Sequence, residues 1–131
     1  MAKNMLIADD SPMIRRMLRR LVEAHEDYDL CAEAENGAEA IALAIKHHPD
    51  LIVLDLEMLV MNGIDAAREI KKILPGVPII LFTQYADIVT GPAFAHLSVY
   101  RVVSKSDAVS LFGHIHSLTS SLAVGHKNPA A

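Results

Sequence analysis

Five side chains able to take part in polar chemistry follow apolar segments of this chain. Asp9 and Asp10 come directly after one such segment, and Asp55 comes directly after another. Thr83 follows a third, and Lys105 follows a fourth after one intervening serine. If the fold brings the three carboxylates together, their mutual repulsion costs several kcal/mol at an effective dielectric constant of about 20. The pattern therefore predicts a bound cation.

The donor atoms indicate which cation this site would hold. The set is all oxygen, without histidine or cysteine nearby in the sequence, and such a set favours a hard ion. Mg²⁺ takes one or two carboxylates together with water and an incoming phosphate. Mg²⁺ is the expected ion, and Mn²⁺ is the alternative.

The same residues predict phosphoryl chemistry. A carboxylate is already ionised at neutral pH and needs no general base, and aspartate is a nucleophile that forms aspartyl-phosphates. The Thr83 hydroxyl and the Lys105 ammonium would bind phosphoryl oxygens as charge spreads over them. We therefore predict a phosphoryl-acceptor site centred on Asp55.

Short apolar segments alternate with helical patterns along the chain. Strands are predicted at 5–8, 30–34, 51–54, 77–82 and 99–103. Helices are predicted from Ser11 and Pro12 onward, over 38–47, from after Asn62-Gly63 to before Pro75, and over 107–123. Another helix, broken or shortened, is expected to begin near Pro92, because Gly91-Pro92 interrupts its pattern.

Five β-α units predict an α/β fold. With right-handed crossovers they form a doubly wound parallel sheet in a three-layer sandwich. The chain length favours the flavodoxin-like strand order 2-1-3-4-5, in which ligands bind at the carboxyl ends of strands 1 and 3. Asp9, Asp10 and Asp55 occupy those ends.

Composition bounds the remaining possibilities. The chain has 131 residues, 52% of them hydrophobic, which suits one compact domain, predicted over 1–124 with a disordered tail over 125–131. A formal charge of −4 gives no sign of nucleic-acid binding. Cys31 is the single cysteine, which excludes an internal disulfide, and the N-terminus predicts neither a signal peptide nor a membrane span. A cytoplasmic protein is expected.

The sequence resembles the receiver domain of two-component response regulators over about residues 3 to 122. The motifs IADDS, IVLDLEM, NG, LFT and VVSK carry this resemblance. It implies a signalling protein similar to the chemotaxis-type single-domain receivers, rather than an enzyme with a separate substrate. Such a protein accepts phosphate from a sensor histidine kinase or phosphotransfer protein, and it catalyses its own phosphorylation and dephosphorylation.

The resemblance also implies a role for each matched residue. Asp55 is the phosphoacceptor, Asp10 a direct Mg²⁺ ligand and Asp9 a ligand through water. The backbone carbonyl of Glu57 completes the metal site. Thr83 couples the phosphate to a conformational switch, and Lys105 pairs with the phosphoryl group.

Several positions depart from the family pattern. Leu59 stands where receivers usually carry proline. Without the proline ring, φ is free in the loop beside the metal, and the more flexible unfolded chain lowers the free energy of unfolding by about 0.4 to 1 kcal/mol. Gln84 and Tyr85 place large side chains beside the phosphoryl group, and they should affect how easily water and partners reach it. Val102 replaces the usual switch aromatic, with Tyr100 expected on the same side of the strand.

Partner surfaces are expected on two faces. Arg15, Arg16 and Arg19, with Arg20, are expected on the outer face of the first helix, where they are either solvated or dock an acidic phosphodonor. An unknown output partner is expected on the face from strand 4 to helix 5. A homodimer is left open, and neither nucleic acid nor a membrane is an expected partner.

Two alternative functions remain at this point. One is a degenerate receiver that acts as a phosphorylation-independent interaction module. The other is a haloacid-dehalogenase-like phosphatase, although that family needs Asp-x-Asp at the first strand end and this chain has Asp9-Asp10. Whether the chain stands alone or is part of a longer regulator is also open.

Overall fold

The computed structural model describes residues 2 to 86 and 99 to 127, with side chains described as far as residue 118. Within these ranges nine elements follow one another along the chain. They are β1 (Lys3–Ala8), α1 (Pro12–Glu23), β2 (Tyr28–Ala34), α2 (Gly37–His47), β3 (Leu51–Leu54), α3 (Gly63–Ile73), β4 (Ile79–Thr83), β5 (Arg101–Ser104) and α4 (Ala108–Lys127).

The strands form one parallel sheet in the order β2-β1-β3-β4-β5. The predicted flavodoxin-like α/β fold is therefore confirmed. β1, β3 and β4 lie inside the sheet, and their apolar side chains are covered on both faces. The two strands with polar residues, β2 and β5, are the edges, where one side of each strand needs no strand partner.

Two apolar clusters fill the spaces on either side of the sheet. On one face, α2 and α3 pack through small and branched residues such as Ala40, Ala66 and Ile70. On the other face, α1 and α4 pack through larger residues such as Leu18 and Leu111. The helices therefore cover both faces, as a doubly wound sheet requires.

The helix starts follow from local side-chain chemistry. The Ser11 side chain accepts a hydrogen bond from the Ile14 amide at 3.3 Å, and Pro12 occupies the first turn, as predicted. Asn36 and Asn62 cap α2 and α3 in the same way. These caps fix where each helix leaves the carboxyl end of its preceding strand.

The last helix differs from the prediction in two respects. It runs to Lys127 rather than to Ala123, so residues 125 to 127, expected in the tail, are helical. The apolar pattern of this helix also predicts a buried Val109, but Val109 is 86% exposed because it lies on the opposite side of α4 from Leu111 and Ile115. The tail beyond residue 127 lies outside the described residues.

The helix expected near Pro92 cannot be compared with the structure, since residues 87 to 98 lie outside the described ranges. Among the helices that are described, none combines the length and apolarity needed to cross a bilayer.

Candidate functional site

The three acidic residues meet at the carboxyl edge of the sheet. β1 and β3 are adjacent and in register at Ala8 and Leu54, so the residues that follow them lie side by side. The Asp55 amide donates to the Ala8 carbonyl at 2.9 Å, which extends this pairing by one residue. One carboxylate oxygen from each of Asp9, Asp10 and Asp55 lies within 4.8 Å of the others. The fold thus brings together residues that are far apart in the sequence.

Lys105 reaches this cluster from the edge strand β5. Its Nζ lies 2.9 Å from Asp9 Oδ2 and 3.3 Å from Asp55 Oδ2. Burial alone would lower the pKa of Lys105, but its hydrogen bonds to Asp9 and Asp55 and their charges outweigh burial, so the pKa lies above its ordinary value. The ammonium is therefore held in its charged form between the two buried carboxylates.

The ionised form of Asp55 remains unfavourable despite the Lys105 ammonium. Its side chain is almost fully buried, and desolvation together with the charge of Asp9 raises its pKa from 3.8 to about 6. Lys105 opposes the shift, and Asp10 adds to it. A divalent cation would relieve this repulsion, and the all-oxygen donors suit a hard ion such as Mg²⁺. The residues therefore fit the ion that the sequence predicts.

Asp9 is the most firmly held of the three carboxylates. Its amide donates to the Ala34 carbonyl at 3.0 Å, and its Oδ1 accepts from the Ser11 amide at 2.9 Å. Its carbonyl accepts from Arg15 Nη1 at 2.6 Å, while Oδ2 contacts Lys105. By contrast, the side chain of Asp10 is exposed and open to a ligand.

Thr83 ends β4 and is completely buried. Its Oγ1 accepts from the Tyr85 amide at 3.0 Å, and its carbonyl accepts from the Lys105 amide at 3.0 Å. Gln84 is exposed, and Tyr85 is half-buried. This last hydrogen bond joins the end of β4 to the backbone of Lys105, whose ammonium lies in the acidic site.

The loop after Asp55 requires a glycine at its far end. A Cβ on Gly63 would lie 1.9 Å from the Asp55 carbonyl oxygen, a distance that no side chain can tolerate. Leu59 and Val60, at the tip, are 74% and 85% exposed. Val60 has φ of 70°, a conformation that costs a β-branched residue energy. Glu57, in the same loop, has an exposed side chain.

Tyr100 and Val102 do not lie on the same side of β5, and that expectation is wrong. Val102 packs against the cluster beneath α2 and α3, whereas Tyr100 packs against the cluster beneath α1 and α4. The physical reason is that β5 begins only at Arg101 and Tyr100 lies in a bend before it, so strand alternation does not apply to this pair.

The first-helix arginines divide into two groups, contrary to the expectation of one outer face. Arg15 is only 12% exposed and lies near both Glu33 and Glu35, at 3.6 Å in each case. Arg19 makes two hydrogen bonds to Glu33, at 2.7 and 2.9 Å. Arg16 and Arg20 are exposed.

Sequence reasoning missed two parts of this arrangement. Arg15 and Arg19 are one helical turn apart, and Glu33 in β2 and Glu35 just after it are two residues apart, a complementary spacing that could have indicated the pairing. The contact between Gly63 and the Asp55 carbonyl depends on the path of the whole loop, and no local signal indicates it.

Comparison with known proteins agrees with this geometry. The family model for the response regulator receiver domain matches residues 5–115. The chemotaxis protein CheY of Halobacterium salinarum is 41% identical over 84 residues, which are 64% of this chain and 68% of that protein. A protein-glutamate methylesterase/protein-glutamine glutaminase of Pyrococcus horikoshii is 35% identical over 109 residues, 81% of this chain but 29% of that protein.

Solved structures show the same relationship. The receiver domain of AraT, a response regulator from Geobacillus stearothermophilus, superposes with a TM-score of 0.85 at 29% identity and covers 96% of this chain and 99% of that one. The chain spans less than a third of the length of the methylesterase relative. Fold, site and comparisons agree: the chain belongs to the response regulator receiver domain family and is a phosphorelay receiver of a two-component system.

Proposed function

We propose that Asp55 is the phosphoacceptor of this receiver. The observation that carries the proposal is a buried carboxylate with a raised pKa, placed beside two further carboxylates and a lysine ammonium. Unless a cation compensates it, such a cluster costs stability. The cost is consistent with a site kept for binding and chemistry.

Asp9, Asp10, Asp55 and the Glu57 backbone carbonyl would hold the metal ion, Mg²⁺ or alternatively Mn²⁺. When bound, the ion neutralises charge on the carboxylates and on the phosphoryl oxygens. Asp10 supports this role because its side chain is exposed beside two buried carboxylates. Asp9 is held on both carboxylate oxygens, which suits a ligand acting through water.

In the transfer step an Asp55 carboxylate oxygen attacks the phosphorus of the donor. A new O–P bond forms while the P–N bond of a phosphohistidine, or the P–O bond of an acyl phosphate, breaks, and the leaving group takes the electron pair. Lys105 is close enough to Asp55 to pair with an oxygen of the transferred group. Thr83, at the neighbouring strand end, would donate its hydroxyl hydrogen to another oxygen, because the Tyr85 amide uses Oγ1 only as an acceptor.

The phosphodonor would be a sensor histidine kinase or phosphotransfer protein, the partners with which receiver domains interact. Arg16 is the best-placed docking candidate of the three predicted arginines because its side chain is exposed. Arg15 and Arg19 already pair with Glu33 of β2. An acidic patch on the donor would be attracted to the exposed cation and associate faster.

The output signal would come from a two-state conformational equilibrium in the face that runs from β4 to α4, the helix that follows β5. Phosphorylation that shifts this equilibrium tenfold requires about 1.4 kcal/mol of differential stabilisation. Gln84 and Tyr85 would control access of water to the phosphoryl group, since they follow Thr83 directly. Tyr100 and Val102, packed on opposite sides of the sheet, would report the switch to an output partner or to a second copy of this chain.

Residues 1–124 would constitute the receiver domain. We place this domain in the cytoplasm, because a free cysteine is typical of a reducing compartment and a kinase partner is expected there.

The proposal is tested by incubating the protein with acetyl phosphate and Mg²⁺ and measuring its mass. A single phosphoryl adduct should form, and it should be absent from Asp55→Asn. Asp65→Asn, an exposed carboxylate in α3, is the matched control and should still form the adduct. Absence of any adduct, or an adduct that persists in Asp55→Asn, contradicts the assignment.

A further inference from the structure

One cation beside the acidic site has no part in the chemistry described so far. The Arg15 guanidinium donates to the backbone carbonyl of Asp9 at 2.6 Å. The same group lies 3.6 Å from both Glu33 and Glu35, and its side chain is only 12% exposed. The Arg15 side chain therefore points into the protein, and its planar guanidinium connects the turn between β1 and α1 to strand β2.

The bonded carbonyl belongs to the peptide that joins Asp9 to Asp10. Because a peptide unit is planar, fixing its oxygen fixes the plane and with it the direction in which the chain enters Asp10. Asp10 is the exposed member of the carboxylate cluster. Asp9 has further bonds of its own, through its amide, its carboxylate and Lys105.

Glu33, one of the two acidic partners of Arg15, is itself held in place. Arg19 binds Glu33 through two hydrogen bonds, and Glu33 lies in register with Ile7 of β1. A guanidinium on a side chain that is only 12% exposed, beside an anchored carboxylate, has few rotamers left, so it can hold the carbonyl in one position. Lysine has no fork and could not span the same three acceptors.

We propose that Arg15 is a positioning residue for metal binding: by holding the Asp9–Asp10 peptide it directs the Asp10 carboxylate toward the cation site. This rests on the Mg²⁺ site of the proposed function. It assigns Arg15 a place within the receiver rather than at a docking surface.

Electrostatics and positioning predict opposite effects when the charge is removed. Loss of a positive charge near a cation site should tighten Mg²⁺ binding by reducing repulsion. Loss of a residue that orients a ligand should weaken it, and outer contacts of this kind typically change metal affinity by 10- to 100-fold. The sign of the change therefore distinguishes the two roles.

The experiment compares Arg15→Met with Arg20→Met, which removes the same charge from an exposed position of α1. Mg²⁺ is titrated while backbone amide shifts are followed by NMR, and melting confirms that each variant is folded. The Mg²⁺ dissociation constant should rise about tenfold in Arg15→Met. It should stay within about twofold of the unmodified chain, or fall slightly, in Arg20→Met.

Two further measurements separate positioning from general loss of structure. Amide hydrogen exchange at Asp10 and Ser11 should accelerate in Arg15→Met, while exchange in the core strand β3 should not. The rate of phosphorylation by acetyl phosphate should recover at saturating Mg²⁺, because the defect lies in binding. Arg15→Lys, which keeps the charge, should show a smaller loss of affinity and serves if Arg15→Met does not fold.

The inference is overturned if Arg15→Met binds Mg²⁺ as tightly as the unmodified chain or more tightly. It is also overturned if Arg20→Met loses as much affinity. An unmodified chain that binds no Mg²⁺ at millimolar concentration would remove the proposed metal site as well, and that result is distinct because it requires no variant.

Discussion

Asp55→Asn should stabilise the metal-free protein. The buried Asp55 carboxyl has a pKa of about 6, compared with an ordinary value of 3.8. A raised carboxyl pKa means that the folded state holds its proton at a pH where the unfolded state has lost it. Stability is therefore undiminished below about pH 4, falls as the pH rises toward 6, and stays low above it. Asparagine removes the charge and with it this cost.

The size of the effect follows from the shift. The difference between 6 and 3.8 corresponds to about 3 kcal/mol of unfolding free energy above pH 7. For a chain of this length that is a rise in melting temperature of about 10 °C. Near pH 4 the two proteins should melt at similar temperatures, since the carboxyl is then largely protonated.

The assay is thermal unfolding with a chelator present, at steps from pH 4 to pH 8. Asp29→Asn is the matched control, because Asp29 is exposed on β2 and its change alters the net charge equally. Adding Mg²⁺ at ten times its dissociation constant should raise the stability of the unmodified chain by about 1.4 kcal/mol and leave Asp55→Asn unchanged.

The reasoning would be refuted if Asp55→Asn were less stable than the unmodified chain at pH 8 without metal. It would also fail if both proteins showed the same loss of stability between pH 4 and pH 7. Either result would mean that Lys105 fully compensates the carboxylate cluster.

Three further changes test neighbouring parts of the site. Lys105→Met should lower the unfolding free energy of the metal-free protein by about 3 kcal/mol, because it leaves buried carboxylates without their cation, and Mg²⁺ should recover part of the loss in denaturant titrations. Gly63→Ala should cost about 3 kcal/mol in the same assay because its Cβ meets the Asp55 carbonyl, whereas Gly76→Ala, with open space around it, should cost little. Val60→Gly should raise the free energy of unfolding by about 0.5 to 1 kcal/mol, because glycine relieves the positive φ at an exposed position. A lower free energy of unfolding would show that Val60 packs against the protein or is not strained.

The sequence alone was sufficient to predict the alternation of strands and helices, because buried parallel strands and capped helices have strong local patterns. Ser11, Asn62 and Pro75 marked helix ends without any knowledge of the fold. The strand order and the meeting of Asp9 with Asp55 then followed from the general rule for doubly wound sheets. Topology brings strand ends together whatever their separation in the chain.

Only the tertiary structure decided the features that depend on contacts between distant segments. Arg15 has the spacing of a solvated helix residue, yet it faces inward because Glu33 of β2 and Glu35 just after that strand lie opposite it. Tyr100 and Val102 separate to opposite faces because the strand begins two residues later than its apolar pattern. Local patterns determine where elements form, whereas the direction of a side chain depends on what packs against it.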